Sequence, residues 1–387
     1  MITLFCIHPK GFNVGNDAIQ VGLRHLLYEA FGEVINLISV PAVSHYESSA
    51  KAGLTARTIH EINQFGHGVI VGGGNLYENG ELAVGLDALP TLEPPLMLYS
   101  LSRGQIYNRR RRLVDRTDAM PRRVIEALND RADYSLARDQ ATLDYLHGIG
   151  CKRAQLGGCP TIFLNQTAGR FESFAENQTF GPLISVRNPQ LMNIPLDLQA
   201  RVHSDVQEII SFLKRQGLSN IRLLCHDCRD ITFAASFTGV EYVYTGDVYS
   251  YLSLLKTSPL SISYRLHATL PCMTFGTPCI NIGYDQRALS LMDTLGLGQW
   301  DINSVTSESV VDDVIDRYRR LESLSGLRAQ VQPRWKAFFD FNMDTFRRFA
   351  HDVREFCGVY RSSNQENQKC PASRMSLLRP APTTTAA

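Results

Sequence analysis

Gly68-Val69-Ile70-Val71-Gly72-Gly73-Gly74 is the stretch on which the fold reading turns. A short continuous apolar run closed by glycines suits a strand buried on both faces, which is how strands of a parallel sheet read. Comparable apolar runs lie on either side of it, at residues 2–7, 34–40, 95–101 and 133–137. Between them, residues 17–31, 55–65, 121–130 and 139–147 carry helical spacing. Strand and helix alternate throughout, which predicts a parallel sheet covered by helices. A second series begins after a polar, aromatic stretch at 167–178 that reads as a linker. Its strands are predicted at 183–186, 221–225, 240–244, 260–263 and 279–282, with helices at 198–216, 250–257 and 267–275. Two long amphipathic helices follow at 310–324 and 331–356.

The predicted class is therefore α/β, with one domain over residues 1–166 and another over 179–330. The helical segment 331–361 can cross back onto the first domain. Residues 362–387 turn to Asn, Gln, Pro, Thr and Ala without periodicity and read as a disordered tail. Two doubly wound domains would turn their strand C-termini toward a shared cleft, where ligands of open α/β sheets bind.

The bulk numbers narrow the function classes. The chain has 387 residues, with 39 Lys and Arg against 38 Asp and Glu, and a formal net charge of +1. No global field draws it to nucleic acid or to a membrane, so any anion site must be local. No apolar run approaches the ~18 residues that read as a bilayer span. The segment from Met1 to Ile7 is too short for a signal peptide. Nine cysteines with scattered spacing suit a reducing, cytoplasmic setting and argue against a disulfide framework. Cys225-His226-Asp227-Cys228 is a lone C-x-x-C without a second ligand pair, so no metal is expected there.

The residues able to carry chemistry cluster at predicted strand ends. Ser263-Tyr264-Arg265-Leu266-His267-Ala268 pairs an arginine with a histidine two residues on, just after an apolar strand. Guanidinium suits a phosphate or carboxylate, and imidazole can move a proton near neutral pH. His267 can equally be a satisfied histidine near its helix start. Arg287 lies twenty residues further, beyond another short strand. Arg103, Arg138 and Arg187 each stand where a strand is predicted to end; singly, each also suits an ion pair. Asn13-Val14-Gly15-Asn16-Asp17 joins the first strand to the first helix. There Asn16 or Asp17 can cap the helix, or the carboxylate can accept from a sugar hydroxyl. Gly72-Gly73-Gly74-Asn75 can cradle an anion with bare amides or simply form a tight turn. Seven arginines fall between Arg109 and Arg123. They suit either a solvated face or contact with a lipid pyrophosphate or an anionic leaflet.

These residues together resemble the polysaccharide pyruvyl transferase family. The matching pieces are Asn-Val-Gly-Asn-Asp-Ala-Ile at 13–19, Gly-Gly-Gly-Asn-Leu at 72–76, Ala-Arg-Asp at 137–139, Ser-Val-Arg at 185–187 and His-Asp at 226–227. The most specific set is Ser-Tyr-Arg-Leu-His-Ala at 263–268, Phe-Gly-Thr-Pro-Cys-Ile at 275–280 and Tyr-Asp-Gln-Arg at 284–287. The resemblance implies two Rossmann-like domains in a GT-B-like arrangement, with the active site in the cleft between them. It implies transfer of a pyruvyl group from phosphoenolpyruvate to two hydroxyls of a sugar, with a cyclic ketal formed and phosphate released. Phosphoenolpyruvate enters as donor substrate, and no cofactor or metal is implied. By the same analogy His267 is catalytic. Arg265, Arg138, Arg187, Arg287 and Arg103 bind substrate, with Asp17, Asn13, Gly73, Gly74 and Asn75. Arg287 stands where the family usually has lysine.

The implied partners are the donor and a saccharide acceptor, lipid-linked or free. No nucleic acid is expected, and membrane contact is at most peripheral, at the inner face, through residues 109–123. Two other readings remain at this point. One is a nucleotide-sugar glycosyltransferase on the same fold, which would use an acidic residue such as Asp247 or Asp285 to hold the ribose. The other is a sugar- or anion-binding member without turnover.

Overall fold

The computed structural model describes residues 1–11, 13–44, 51–78, 80–170 and 181–368. The N-terminal strands are β1 (Ile2–His8), β2 (Ile35–Pro41), β3 (Gly68–Gly74), β4 (Leu96–Leu101), β5 (Ile106–Tyr107), β6 (Leu113–Val114), β7 (Tyr134–Ala137) and β8 (Gln155–Leu156). Six of them form one sheet in the order β2-β1-β3-β4-β7-β8, and every pairing in it is parallel. β5 and β6 form a separate antiparallel hairpin. The C-terminal strands are β9 (Leu183–Val186), β10 (Arg222–Cys225), β11 (Glu241–Tyr244), β12 (Ser261–Ser263), β13 (Cys279–Gly283) and β14 (Ile302–Asn303). They form a second parallel sheet in the order β11-β10-β9-β12-β13-β14.

Both sheets are doubly wound. Counted within itself, the second sheet runs 3-2-1-4-5-6, the Rossmann order, while the first opens 2-1-3-4-5 like a flavodoxin sheet. Each sheet reverses direction beside its first strand, so β1 and β3 flank one switch point and β9 and β12 the other. The predicted runs read correctly because β3 and β4 are buried along their whole length.

The helices are α1 (Val14–Phe31), α2 (Ala56–Phe65), α3 (Arg122–Arg131), α4 (Gln140–Gly148), α5 (Leu196–Arg215), α6 (Ile231–Ala234), α7 (Val248–Thr257), α8 (Leu266–Phe275), α9 (Gln286–Thr294), α10 (Val310–Arg319) and α11 (Leu321–Gln368). The C-terminal helices differ from expectation. The boundary falls at Arg320, and α11 continues through Pro333 to Gln368, so residues 362–368 are helical rather than part of a disordered tail. Residues 369–387 of that tail, residues 171–178 of the expected linker, and residues 179–180 at the expected start of the second domain lie outside the described residues.

The reason for the longer helix is an apolar stripe. Leu324, Leu327, Val331, Trp335, Phe346, Phe349, Val353 and Cys357 recur at helical spacing and are buried. The stripe spans both domains. Trp335 Nε1 donates to the Leu295 carbonyl at 3.0 Å in the second, and Asn342 Nδ2 donates to the Gly157 carbonyl at 2.8 Å in the first. Further along, Phe346 meets the Tyr99 ring edge-on at 4.9 Å, and Tyr134 donates to Asp352 at 2.6 Å. One apolar cluster runs through α1, α7, α8 and α11 and joins the two domains behind the cleft.

Candidate active site

A cavity of about 200 Å³ lies between the two sheets, at the C-terminal ends of their strands. Its lining follows from topology. Lys10 follows β1, Asn75 follows β3 and Arg138 follows β7. Arg187 follows β9, His226 and Asp227 follow β10, Arg265 follows β12, and Asp285 follows β13. Asn13, Asn16, His267 and Arg287 join the walls from the first turns of α1, α8 and α9 and the residue before α1, and Glu81 adds an acid.

The structure thus brings together Arg138, Arg187, Arg265, Arg287, His267, Asn13 and Asn75. Arg138 is 2% exposed and Arg265 is 8% exposed. Each buried guanidinium has acids near it, but mostly beyond hydrogen-bonding reach. Arg138 Nε is 3.8 Å from Asp139, Arg265 Nη2 is 3.7 Å from Asp230, and Arg287 Nη1 is 3.5 Å from Glu78. Arg187 Nη1 is 3.3 Å from Asp230 and 3.7 Å from Asp227. As a result Arg138 Nε, Arg187 Nε, Arg265 Nη2 and Arg287 Nη1 are buried without hydrogen-bond acceptors. Arg287 is held more firmly at its other edge, where Nε and Nη2 both donate to Asp285.

His267 opens α8, whose positive N-terminal end faces the cavity. Its Nε2 is buried and unpartnered. Burial, followed by the fields of Arg138, Arg265 and Arg287, pushes its pKa down to about 3, so the imidazole is neutral in the free protein. Pro271 sits four residues on and lacks an N–H, which leaves the His267 carbonyl without its helical partner. Tyr251 replaces it by donating its hydroxyl at 2.7 Å. The same hydroxyl lies 3.0 Å from His226 Nε2, and Ser185 Oγ lies 2.7 Å from that nitrogen. His226 is also held neutral, by burial and then by Arg265, His267 and Arg187.

The first domain packs closely on this motif. Val14 N donates to the His226 carbonyl at 3.0 Å. A Cβ on Gly15 would stand 3.0 Å from His267 Cβ, and one on Gly104 would overlap Arg287 Cγ. Asp139 caps α4 through Thr142 N and also accepts from Ser290 of α9, tying the domains together beside Arg138.

Four expected site residues lie elsewhere. Arg103 follows β4 but turns away, stacking 3.8 Å over the Tyr145 ring and pairing with Asp115 at 2.9 Å. Asp17 is half-buried off the cavity, its pKa raised to about 6 by burial despite Arg24. The cap of α1 is Asn13, which accepts from Gly15 N at 3.1 Å, rather than Asn16 or Asp17. Gly73 serves helix packing, since a Cβ there would overlap Ile19 of α1. Gly74 adopts φ +94° against Pro9, and the cavity wall begins one residue later, at Asn75. Sequence reasoning missed Lys10 and Tyr284 in the walls, and Glu78 and Asp230 behind them. Asp247 and Asp285 are committed as caps of α7 and α9.

A family model described as polysaccharide pyruvyl transferase matches residues 13–286, from the cap of α1 to the start of α9. The chain belongs to the polysaccharide pyruvyl transferase family. Amylovoran biosynthesis protein AmsJ from Erwinia amylovora is 36% identical over 74 residues. That match covers 18% of this chain and 18% of that relative, so the chain spans under a fifth of the curated protein it resembles. Among solved structures, the UDP-GlcNAc 2-epimerase of Neisseria meningitidis superposes with a TM-score of 0.53 at 9% identity, covering 93% of this chain and all of that one. The enzyme of the same name from Methanocaldococcus jannaschii gives 0.52 at 12% identity, over 81% and 92% of the two chains. These likenesses establish the fold: this pyruvyl transferase family member has a GT-B-type arrangement of two α/β domains.

Proposed function

We propose that this family member transfers the pyruvyl group of phosphoenolpyruvate to two hydroxyls of a saccharide, forming a cyclic ketal and releasing phosphate. The observation that carries the reading is the convergence of four arginines, Arg138, Arg187, Arg265 and Arg287, on one cavity beside the unpartnered Nε2 of His267. Four guanidiniums around one small cavity favour a compact ligand with two anionic ends. Phosphoenolpyruvate carries a phosphate and a carboxylate on the same carbon, C2. The first-domain wall adds Asn13, Asn16 and Asn75, whose neutral amides suit sugar hydroxyls.

The chemistry balances without an oxidant or reductant. The methylene carbon takes up a proton from solvent, C2 becomes electrophilic, and the first hydroxyl oxygen bonds to C2 while losing its proton. The second hydroxyl oxygen then bonds to C2 as the C2–O bond to phosphate breaks. The bonding pair and the second hydroxyl proton leave with phosphate. A neutral His267 suits the first hydroxyl as a base. A bound polyanion offsets the arginine field and raises the proton affinity of the imidazole, so it can hold and return that proton. Proton transfer of this kind contributes about 10²–10⁴-fold.

The test is to incubate the protein with phosphoenolpyruvate and a panel of saccharides, following phosphate release and acceptor mass together. Equal release of phosphate and gain of a ketal-linked pyruvyl group is expected. Binding of UDP-sugars with no binding of phosphoenolpyruvate would overturn the reading in favour of nucleotide-sugar chemistry.

A further inference from the structure

The arginine run between residues 109 and 123 is divided by the structure. Arg116 pairs with Asp118 through two bonds of 2.8 Å, and Arg122 pairs with Glu126 at 2.7 Å. Those two belong to the fold. Arg109, Arg110, Arg111 and Arg112 instead form the tip of the β5–β6 hairpin, and all four are exposed. Only Arg111 reaches an acid, Asp197, at 3.3 Å. Arg109, Arg110 and Arg112 have no acidic partner among the described residues.

The backbone of the tip is tied to itself. Asn108 Oδ1 accepts from the N–H groups of Arg110 and Arg112 at 2.9 and 3.1 Å, and Asn108 N donates to the Arg112 carbonyl at 2.9 Å. Both limbs are pinned at the base. Gln105 exchanges bonds of 2.9 and 3.2 Å with Gln286, Tyr107 accepts from Asn303 at 2.9 Å, and Asp115 pairs with Arg103. This base packs against a residue of the cavity wall: Gly104 meets Arg287, and Gln105 bonds the adjoining Gln286. Arg110 is five residues from Gln105, a reach of at most about 18 Å. Beside the tip, next to Asp197, Leu196 is 68% exposed.

We propose that this hairpin docks the protein on an anionic lipid surface, with the cleft mouth held close to the headgroups. A projecting tip with three uncompensated guanidiniums and a neighbouring exposed leucine can meet a flat field of phosphate headgroups all at once. A flexible polyanion is gripped by a groove, and no aromatic platform for nucleic acid accompanies these arginines. The chain has a net charge of only +1, so the attraction is concentrated at this site. The inference does not rest on the identity of the donor.

The test is co-sedimentation of the full chain with phosphatidylcholine vesicles that contain or lack phosphatidylglycerol. Binding is expected only to the anionic vesicles and should weaken as salt rises. The variant Arg109→Ser/Arg110→Ser/Arg112→Ser should lose affinity by on the order of a hundredfold, from about fivefold per arginine near the surface. Its melting temperature should match the parent. The charge-matched control Arg57→Ser/Arg319→Ser/Arg347→Ser, at exposed sites elsewhere, should retain binding. Equal binding of the tip variant, equal binding to neutral vesicles, or capture of heparin without capture of vesicles would each overturn the proposal.

Discussion

Replacing Arg265 with methionine separates a functional arginine from a structural one. The side chain is 8% exposed, and its Nη2 has no acceptor. Asp230 lies 3.7 Å away but keeps other partners when Arg265 is removed. Arg187 Nη1 stands 3.3 Å from it, and Asn188 N donates to it at 3.0 Å. Removal also relieves a repulsion, because burial and then the charge of Arg265 hold the Arg187 guanidinium below its ordinary pKa. One attraction and one repulsion are lost together, and methionine fills most of the volume. The melting temperature of the free protein should therefore stay within a few degrees of the parent or rise, since 1 kcal/mol corresponds to about 2–4 °C in a chain of roughly 150–250 residues. Phosphoenolpyruvate affinity should behave differently. One lost charge-assisted bond is worth about 1.5–3 kcal/mol, a Kd increase of about ten- to hundredfold, and a two-pronged contact more. Calorimetric titration gives the Kd and a thermal melt gives the stability. Arg265→Lys, which keeps the charge but not the fork, should fall between the two. A melting temperature lowered by about ten degrees with Kd unchanged would refute the reasoning and make Arg265 a framework residue.

Three further outcomes follow from the same geometry. His267→Ala should lower phosphate release by about 10²–10⁴-fold while leaving phosphoenolpyruvate affinity largely intact; NMR of labelled histidine should find His267 neutral from pH 8 down to about 4 in the free protein, with its pKa rising from about 3 once phosphoenolpyruvate binds. Gly104→Ala would push a Cβ into Arg287 Cγ, so KM for phosphoenolpyruvate should rise with kcat little changed, and an unaltered KM would mean that Arg287 is not a donor-site residue. Glu78 has its pKa raised to about 7 by burial, with Arg287 opposing and Asp285 adding to the rise. Its ionisation above that pH sets a negative charge 3.5 Å from Arg287, so Glu78→Gln should bind phosphoenolpyruvate increasingly better than the parent as pH climbs through 7, and a constant ratio of the two Kd values would remove Glu78 from the account.

Much of this site is legible because several wall residues directly follow an apolar strand. Arg138, Arg187 and Arg265 come one to two residues after β7, β9 and β12, and a strand buried on both faces announces itself in sequence. The same rule misplaces Arg103, which follows β4 in the same way. Its direction is decided by Asp115 and Tyr145, partners that no local pattern marks. Glu78 and Asp230 are invisible for the same reason, since nothing in their neighbourhood says that they sit beneath guanidiniums. One signal was available and unused. Pro271 four residues after His267 orphans a carbonyl, and a buried hydroxyl such as Tyr251 is the expected remedy. In the fold, the two-residue strands β5, β6, β8 and β14 are too short to show periodicity. The join into α11 was hidden by Ser325, Gly326 and Pro333, which resemble breakers. Burial of the Leu324-to-Cys357 stripe against both domains overrides that local preference.

The spacing between the arginines and the acids behind them has a mechanistic consequence. Acids at hydrogen-bonding distance would consume the guanidinium donors and compete with any anionic substrate. Acids removed altogether would leave mutually repelling cations buried without compensation, which is strongly destabilising. Asp139, Asp230 and Glu78 stand between these limits, at 3.8, 3.3–3.7 and 3.5 Å from Arg138, from Arg187 and Arg265, and from Arg287. At those distances they offset the buried positive charge without pairing Arg138 Nε, Arg265 Nη2 or Arg287 Nη1. The folded protein therefore carries the desolvation of the site before any ligand arrives. A ligand that brings its own acceptors finds donors already fixed in place, and little binding energy is lost to ordering them. On the proposed function, a neutral sugar cannot satisfy the guanidinium donors and a monoanion satisfies only some of them. On this argument the acids missed in sequence matter as much to donor recognition as the arginines that were found. Replacing Asp230 with Asn should accordingly let Arg187 and Arg265 repel each other and lower stability, while the Asp285 pairing keeps Arg287 in place.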